Sequence, residues 1–211
     1  MAIYLDNAAT TPMDPAIIAG LADRQARWFA NPASTHPLGR EAGKALERAR
    51  ARLAAQLGGQ PDQVVFTGGG TEALGLAMLG LGGRSPGRVA LSAVEHSCVR
   101  EAAHRLVERF GWALDVIPVD AEGRVTAQAL EQVLTPAHKL VAVMLANNEV
   151  GTVNDVEALA RLARERAPRA KFVVDAVQAF GKVPVDVGRL GVDALALTAH
   201  KIHGPKGIGA L

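Results

Sequence analysis

The chain has 211 residues, of which 49% are hydrophobic and 21% are charged, and its formal net charge of +2 gives no support to a nucleic-acid partner. With Cys98 as its single cysteine, the chain cannot form an intramolecular disulfide. A membrane-spanning helix needs about 18 consecutive apolar residues, and no run in the sequence is that long. Because the N-terminus also lacks a secretory signal, we predict a cytoplasmic protein with no membrane contact.

Helix and strand signals alternate along the chain. Asp14-Pro15, a capping residue followed by proline, opens the first helix, residues 37–57 form the second, and Asp155 caps a later one. Short runs rich in β-branched residues predict strands at Val64–Thr67, Arg88–Ser92, Ala113–Val119, Leu140–Ala146, Phe172–Asp175 and Ala194–Leu197, with a last one within Gly207–Leu211. This alternation predicts an α/β fold, a three-layer α/β/α domain with a mainly parallel, roughly seven-stranded sheet.

Polar or glycine-rich residues follow five of these strands. They are Gly68–Glu72, Glu95-His96, Asn147–Glu149, Asp175 with Gln178, and Thr198–Lys201. Binding sites of open α/β sheets lie at the carboxyl ends of the strands. We therefore expect these five groups to converge on one ligand.

Gly68–Thr71 lies between a strand and an apolar helix. Exposed amides at a helix N-terminus make a phosphate cradle, although a tight turn with Thr71 as helix cap explains the same residues. The run matches neither GxGxxG nor the P-loop pattern, so dinucleotides and nucleoside triphosphates lose support.

Two charged side chains at strand ends suggest a carbonyl cofactor. Asp175 ends a buried strand and needs a cationic or donor partner, which could be a nearby arginine, a helix end or a protonated ring nitrogen. Lys201 could form a Schiff base if partial burial lowers its pKa. Lys206 is the competitor, but Gly204-Pro205 separates it from the strand end. We prefer Lys201.

His96 and Cys98 lie close together after the second strand. His96 could stack on a flat ring and shuttle protons, or simply cap the helix that follows. Cys98, at the predicted helix start, could have a lowered pKa, but a small packing residue is the better interpretation. Too few ligands accompany them for zinc, so no metal is predicted.

Taken in order, these segments resemble the NifS/IscS-type cysteine desulfurases, which are fold-type I pyridoxal-phosphate enzymes of the class V aminotransferase family. The resemblance covers the whole chain. It is carried by residues 4–12, 31–36 and 66–72, by Glu95-His96, and by residues 147–151, 174–178 and 200–209.

The resemblance implies a role for each candidate residue. Lys201 would hold pyridoxal 5'-phosphate as a Schiff base, and His96 would stack on its ring and assist proton transfer. Asp175 would pair with the ring nitrogen. The phenolic oxygen would be bound by Asn148 and Gln178, and the phosphate by Gly70, Thr71, Thr198 and His200.

The implied reaction converts L-cysteine to L-alanine and a persulfide on an enzyme cysteine, which supplies a sulfur-acceptor protein such as an iron–sulfur scaffold. The resemblance also implies a homodimer. Residues 1–211 would be the pyridoxal-phosphate-binding large domain, truncated at its C-terminal end, without the small domain that carries the catalytic cysteine. Another class V enzyme, such as selenocysteine lyase, or a non-catalytic cofactor-binding fragment remains an alternative.

Overall fold

The computed structural model describes residues 3–211. The prediction that no secretory signal is present falls partly on residues 1 and 2, which lie outside this range. Within it, the helices are α1 (Pro15–Arg27), α2 (Pro37–Gln56), α3 (Gly70–Gly82), α4 (Ser97–Phe110), α5 (Ala127–Val133), α6 (Val156–Arg166) and α7 (Val187–Leu190). Asp14 and Asp155 cap α1 and α6 as predicted, each accepting a hydrogen bond from a backbone N–H of the first turn.

The strands form one sheet among the described residues. They are β1 (Phe66–Thr67), β2 (Arg88–Ser92), β3 (Ala113–Ile117), β4 (His138–Ala142), β5 (Lys171–Asp175), β6 (Ala194–Thr198) and β7 (Gly209–Ala210), in the order β1-β7-β6-β5-β4-β2-β3. Strands β2 to β6 pair in parallel, whereas β7 runs antiparallel to both of its neighbours.

Helices cover both faces of the sheet. On one face, α3 and α4 bury residues such as Met78 and Leu106 against Leu91 and Val173. On the other, α2, α5 and α6 bury residues such as Leu130 and Leu159. Both faces of the strands are therefore apolar, as parallel sheets require. The predicted three-layer α/β/α fold with a mainly parallel, seven-stranded sheet is confirmed.

Several strand boundaries differ from the sequence prediction. Strand β3 ends two residues early at Ile117, β4 begins two residues early at His138, and β5 and β6 are each one residue longer. The start of β1 and the end of β4 have identifiable causes. Strand β1 begins at Phe66 rather than Val64, because Val64 closes a short 3₁₀ turn over Pro61–Gln63. Strand β4 ends at Ala142 rather than Ala146. The backbone N–H of Met144 donates to the side chain of Glu95 rather than to a neighbouring strand, while Val143 and Leu145 on either side still donate to the carbonyls of Val173 and Asp175. Within residues 3–211, no helix has the length and apolar character needed to cross a membrane.

Candidate active site

A cavity of about 440 Å³ lies at the carboxyl ends of the parallel strands. This volume is in the range of small-molecule sites. The cavity is lined by all nine residues that the sequence predicts for the site: Gly70, Thr71, His96, Asn148, Asp175, Gln178, Thr198, His200 and Lys201. The structure thus brings together residues from five separate segments of the chain.

Several of the lining residues lie where an element begins or ends. Strands β5 and β6 end at Asp175 and Thr198, and a 3₁₀ turn over Ala199–Lys201 follows β6 directly. His96 is the N-cap of α4, and Gly70 is the first residue of α3. The residue before α3 is Gly69, so the alternative in which Thr71 caps that helix is wrong.

Lys201 is anchored to the N-terminal segment. Its Nζ donates a hydrogen bond of 2.8 Å to the carbonyl of Ala9 and another to the carbonyl of Ala8. Burial, and after it the positive charge of Lys182, lowers the pKa of Lys201, while the carboxylates of Asp175 and Asp6 act in the opposite direction. A lowered pKa increases the fraction of the amine that is unprotonated and therefore nucleophilic.

Asp175 is a buried carboxylate that is only 6% exposed. Its Oδ1 accepts a 2.9 Å hydrogen bond from the backbone N–H of Val177, and among the described residues no arginine or lysine forms an ion pair with it. Burial raises the pKa of Asp175, and the Val177 hydrogen bond and nearby His96 and Lys201 oppose this rise. A cationic group in the cavity would stabilise the charged form.

His96 combines the two roles that its sequence position suggests. It caps α4, since its Nδ1 accepts a 3.3 Å hydrogen bond from the backbone N–H of Cys98, and it also lines the cavity. The Cys98 Sγ lies 3.0 Å from the same nitrogen. Because Nδ1 accepts, the neutral ring carries its proton on Nε2.

Cys98 does not have the lowered pKa that a helix start could give it. Burial, with the charge of Asp175 as a smaller cause, raises the pKa of the Cys98 thiol to about 11. The thiol is therefore protonated at neutral pH and a poor nucleophile. It nevertheless lines the cavity, which its interpretation as a packing residue did not anticipate.

Residues near the N-terminus close one side of the cavity. The hydroxyl of Thr11 donates to the carbonyl of His200 over 2.9 Å and accepts from the backbone N–H of His203 over 2.7 Å. This places Ala8 and Ala9 against the cavity, together with Asp6. In the sequence, Asp6, Ala8 and Ala9 stand out only as part of the motif at residues 4–12, and no local pattern predicts them as site residues.

Glu95, which the sequence groups with His96 as a residue expected at the ligand, does not line the cavity and is buried behind it instead. It is only 3% exposed, and its Oε1 accepts from the Ser92 hydroxyl and, over 2.7 Å, from the Met144 N–H. Its Oε2 is buried and has no hydrogen-bond partner in the part of the chain that the structure describes. Burial raises the pKa of Glu95 from its usual 4.5 to about 7. It joins the loop that holds His96 to the loop that leads to Asn148.

The described residues contain no cluster of three or more histidine, cysteine or carboxylate side chains that could hold a metal ion. Lys206 does not line the 440 Å³ cavity. It borders a neighbouring open groove instead, alongside Arg105 and Gly207.

The family model of the class V aminotransferases matches residues 3–211. The chain belongs to the class V aminotransferase family. This membership implies dependence on pyridoxal phosphate.

Several relatives of this family member are named cysteine desulfurases. It is 40% identical to cysteine desulfurase IscS of Dictyoglomus turgidum over 99% of the chain and 53% of that protein. It is 42% identical to a cysteine desulfurase of Gluconacetobacter diazotrophicus over 100% of the chain and 53% of that protein. The chain thus spans about half the length of the relatives it matches.

Two solved structures have the same fold. A NifS-like protein superposes with a TM-score of 0.94 at 34% identity, covering 100% of the chain and 58% of that protein. SspA in complex with cysteine superposes with a TM-score of 0.92, also at 34% identity, covering 99% of the chain and 60% of that protein. The predicted resemblance to the NifS/IscS-type cysteine desulfurases is confirmed.

The cavity fits the cofactor that the family implies. Within residues 3–211 no cationic side chain forms an ion pair with the buried Asp175 carboxylate, which suits a ligand with a protonated nitrogen. At the start of α3, a Cβ on Gly70 would lie 2.7 Å from Val177 Cγ2, so only glycine lets this helix N-terminus approach so closely. Such an end attracts phosphate through its free N–H groups.

Proposed function

We propose that this chain forms the pyridoxal-phosphate-binding large domain of a cysteine desulfurase. One observation carries the proposal: Lys201, Asp175 and His96 line a single cavity in a chain that is about 40% identical, along its whole length, to proteins named cysteine desulfurases.

The cofactor would be held from three sides. Its phosphate would lie at the N-terminus of α3, where backbone N–H groups are free to donate. Its ring would stack on His96, with Asp175 at the ring nitrogen. The remaining contacts are those predicted from the sequence: Asn148 and Gln178 at the phenolic oxygen, and Gly70, Thr71, Thr198 and His200 at the phosphate.

When bound, pyridoxal phosphate supplies an electron sink for the bonds around the α-carbon of an amino acid. The charged Asp175 would keep a proton on the ring nitrogen. Lys201 would bind the cofactor through its unprotonated Nζ, which the lowered pKa favours. His96, with Nδ1 occupied, would present Nε2 as the atom that gives or takes a proton.

The proposed overall reaction breaks the Cβ–S bond of L-cysteine. The sulfur joins an accepting cysteine thiol as a persulfide, and the carbon gains the proton that this thiol releases, which yields L-alanine. Cys98 is unsuited to accept the sulfur, because its pKa of about 11 keeps it protonated. We therefore expect this chain to bind the cofactor but to need an added thiol for sulfur release.

We further propose that the sulfur passes to an acceptor protein such as an iron–sulfur scaffold, that the protein is a homodimer and that it works in the cytoplasm. The IscS name of the Dictyoglomus turgidum relative supports the first of these. The single cysteine of the chain is compatible with a reducing compartment.

Absorption spectroscopy after addition of pyridoxal phosphate tests the cofactor site directly. We expect a visible band, and borohydride reduction followed by peptide mass mapping should place the tag on Lys201. Lys206→Ala should keep the band and Lys201→Ala should lose it. A tag on Lys206 would contradict the assignment of the lysine.

Sulfide release tests the reaction. With L-cysteine and dithiothreitol, the loaded chain should release sulfide and form an equal amount of alanine, and Lys201→Ala should do neither. Cofactor binding without either product would favour the non-catalytic alternative. A folded chain that takes up no cofactor would contradict the proposed function altogether.

A further inference from the structure

A second lysine, Lys182, is connected to Lys201 by hydrogen bonds through the Gln178 side chain and the Ala8 carbonyl. Lys182 Nζ donates a 2.8 Å hydrogen bond to Gln178 Oε1, and Gln178 Nε2 donates a 2.7 Å hydrogen bond to the carbonyl of Ala8. The same Ala8 carbonyl accepts from Lys201 Nζ. Lys182 itself does not line the cavity, whereas Gln178, Ala8 and Lys201 do.

The chemistry of these partners fixes the orientation of the Gln178 amide. An ammonium group only donates hydrogen bonds and a backbone carbonyl only accepts them. If the amide were reversed, its NH₂ would face the ammonium of Lys182 and its oxygen would face the carbonyl oxygen of Ala8. Both contacts would be repulsive, so the observed orientation is favoured while Lys182 donates to the amide oxygen.

We propose that Lys182 is a positioning residue, which holds the Gln178 amide with its nitrogen toward the cofactor cavity. This inference rests on the proposed function, in which the Gln178 nitrogen donates to the phenolic oxygen of pyridoxal phosphate. Without Lys182, the amide could turn and present its oxygen, an acceptor, to another acceptor.

The charge of Lys182 acts in the same direction. Its positive charge is the second-largest cause, after burial, of the lowered pKa of Lys201. One side chain outside the cavity therefore supports two features of the site, the donor end of the glutamine and the unprotonated amine of the lysine.

The first test is the affinity for pyridoxal phosphate, measured by absorbance titration. Lys182→Met removes the donor and should weaken binding about 5-fold, the value expected for one net hydrogen bond. Lys182→Arg keeps a donor-only cation and should retain most of the affinity. Lys44→Met removes the same charge from an exposed position on α2 and should bind as the wild type does.

A double-mutant cycle shows whether Lys182 acts through Gln178. In a Gln178→Ala background, Lys182→Met should cause little further loss of affinity, because there is no amide left to orient. If the two losses were additive, or if Lys182→Arg bound as weakly as Lys182→Met, the positioning role would be overturned.

A cofactor-free measurement separates this inference from the proposed function. In ¹⁵N–¹H spectra of the ligand-free chain, the Gln178 side-chain NH₂ signals should shift or broaden in Lys182→Met and stay in place in Lys44→Met. Unchanged Gln178 signals would overturn the inference even if the cofactor binds. Altered signals in a chain that takes up no pyridoxal phosphate would support the orientation and contradict the proposed function.

Discussion

Lys201 Nζ donates a 2.8 Å hydrogen bond to the carbonyl of Ala9, a residue 192 positions earlier in the chain. The contact holds the candidate reactive amine against the N-terminal segment. This segment thereby becomes a wall of the cavity, although no helix or strand contains it.

The close approach of α3 to the loop after β5 depends on Gly70. In Gly70→Ala, the new Cβ would lie 2.7 Å from Val177 Cγ2, and we expect the free energy of unfolding to fall by about 1–3 kcal/mol. Urea denaturation measures the change. Gly75→Ala, on the same helix with nothing within 4 Å of the added Cβ, should instead gain about 0.5–1 kcal/mol.

The double variant Gly70→Ala/Val177→Ala provides the internal check, because removing the valine methyls opens space for the new Cβ. It should be less destabilised than the sum of the two single variants. Equal stability of Gly70→Ala and Gly75→Ala would show that the close contact has no energetic consequence.

Glu95 should make the protein less stable as pH rises. Its pKa is about 7 in the folded state and 4.5 as the usual value, so between these pH values the folded chain holds a proton that the unfolded chain has released. The contribution of Glu95 to the free energy of unfolding is therefore fully present below pH 4.5. Roughly 3 kcal/mol of it is lost as pH rises through about 7.

Glu95→Gln tests this dependence, because the amide still accepts from the Met144 N–H but does not titrate. The free energy of unfolding of both proteins can be measured with denaturant between pH 4.5 and 8. As pH rises through this range, the wild type should lose stability relative to Glu95→Gln. A constant difference would contradict the raised pKa.

Cys98 should react slowly in the folded protein. A thiol pKa of about 11, compared with a usual 9.0, leaves about 100-fold less thiolate at pH 8. Iodoacetamide should therefore alkylate the native protein about 100-fold more slowly than the urea-unfolded chain, and the gap should narrow as pH approaches 11. Similar rates in both states at pH 8 would contradict the burial of this thiol.

The hydroxyl of Thr11 connects the N-terminal segment to the segment that carries Lys201, through hydrogen bonds to the backbone of His200 and His203. Thr11→Val leaves the His203 N–H without its acceptor and should cost about 1–3 kcal/mol in the free energy of unfolding. Hydrogen exchange at the His203 amide should accelerate as well. Thr35→Val, at an exposed position, should change neither quantity, and an equal loss in both variants would exclude a specific role for Thr11.

The sequence predicted the structure best where a short run of residues determines the local conformation. Strand β2 has the bounds predicted for it, since Arg88–Ser92 is a short β-branched run between turn residues. The nine site residues could be predicted to share one cavity because the carboxyl ends of parallel strands meet at one edge of the sheet. Their roles in cofactor binding stay predictions.

Contacts between distant segments could not be predicted in the same way. No local pattern distinguishes the buried Glu95 from an ordinary loop glutamate, because its burial depends on Met144, 49 residues later. Cys98 has a raised rather than lowered pKa for a similar reason. Its burial outweighs any benefit of the helix start, and burial is set by the packing of several elements around the cavity.

The place of β7 in the sheet affects how the molecule is made. Residues 209–210 insert between β1 and β6, so Phe66 gains its strand neighbour, Ala210, only after strands β2 to β6 have been synthesised. During synthesis on the ribosome, β1 must therefore wait as an unpaired segment while the five parallel strands assemble. Such late, long-range pairing slows folding and leaves a strand edge open to pairing with other chains in the meantime.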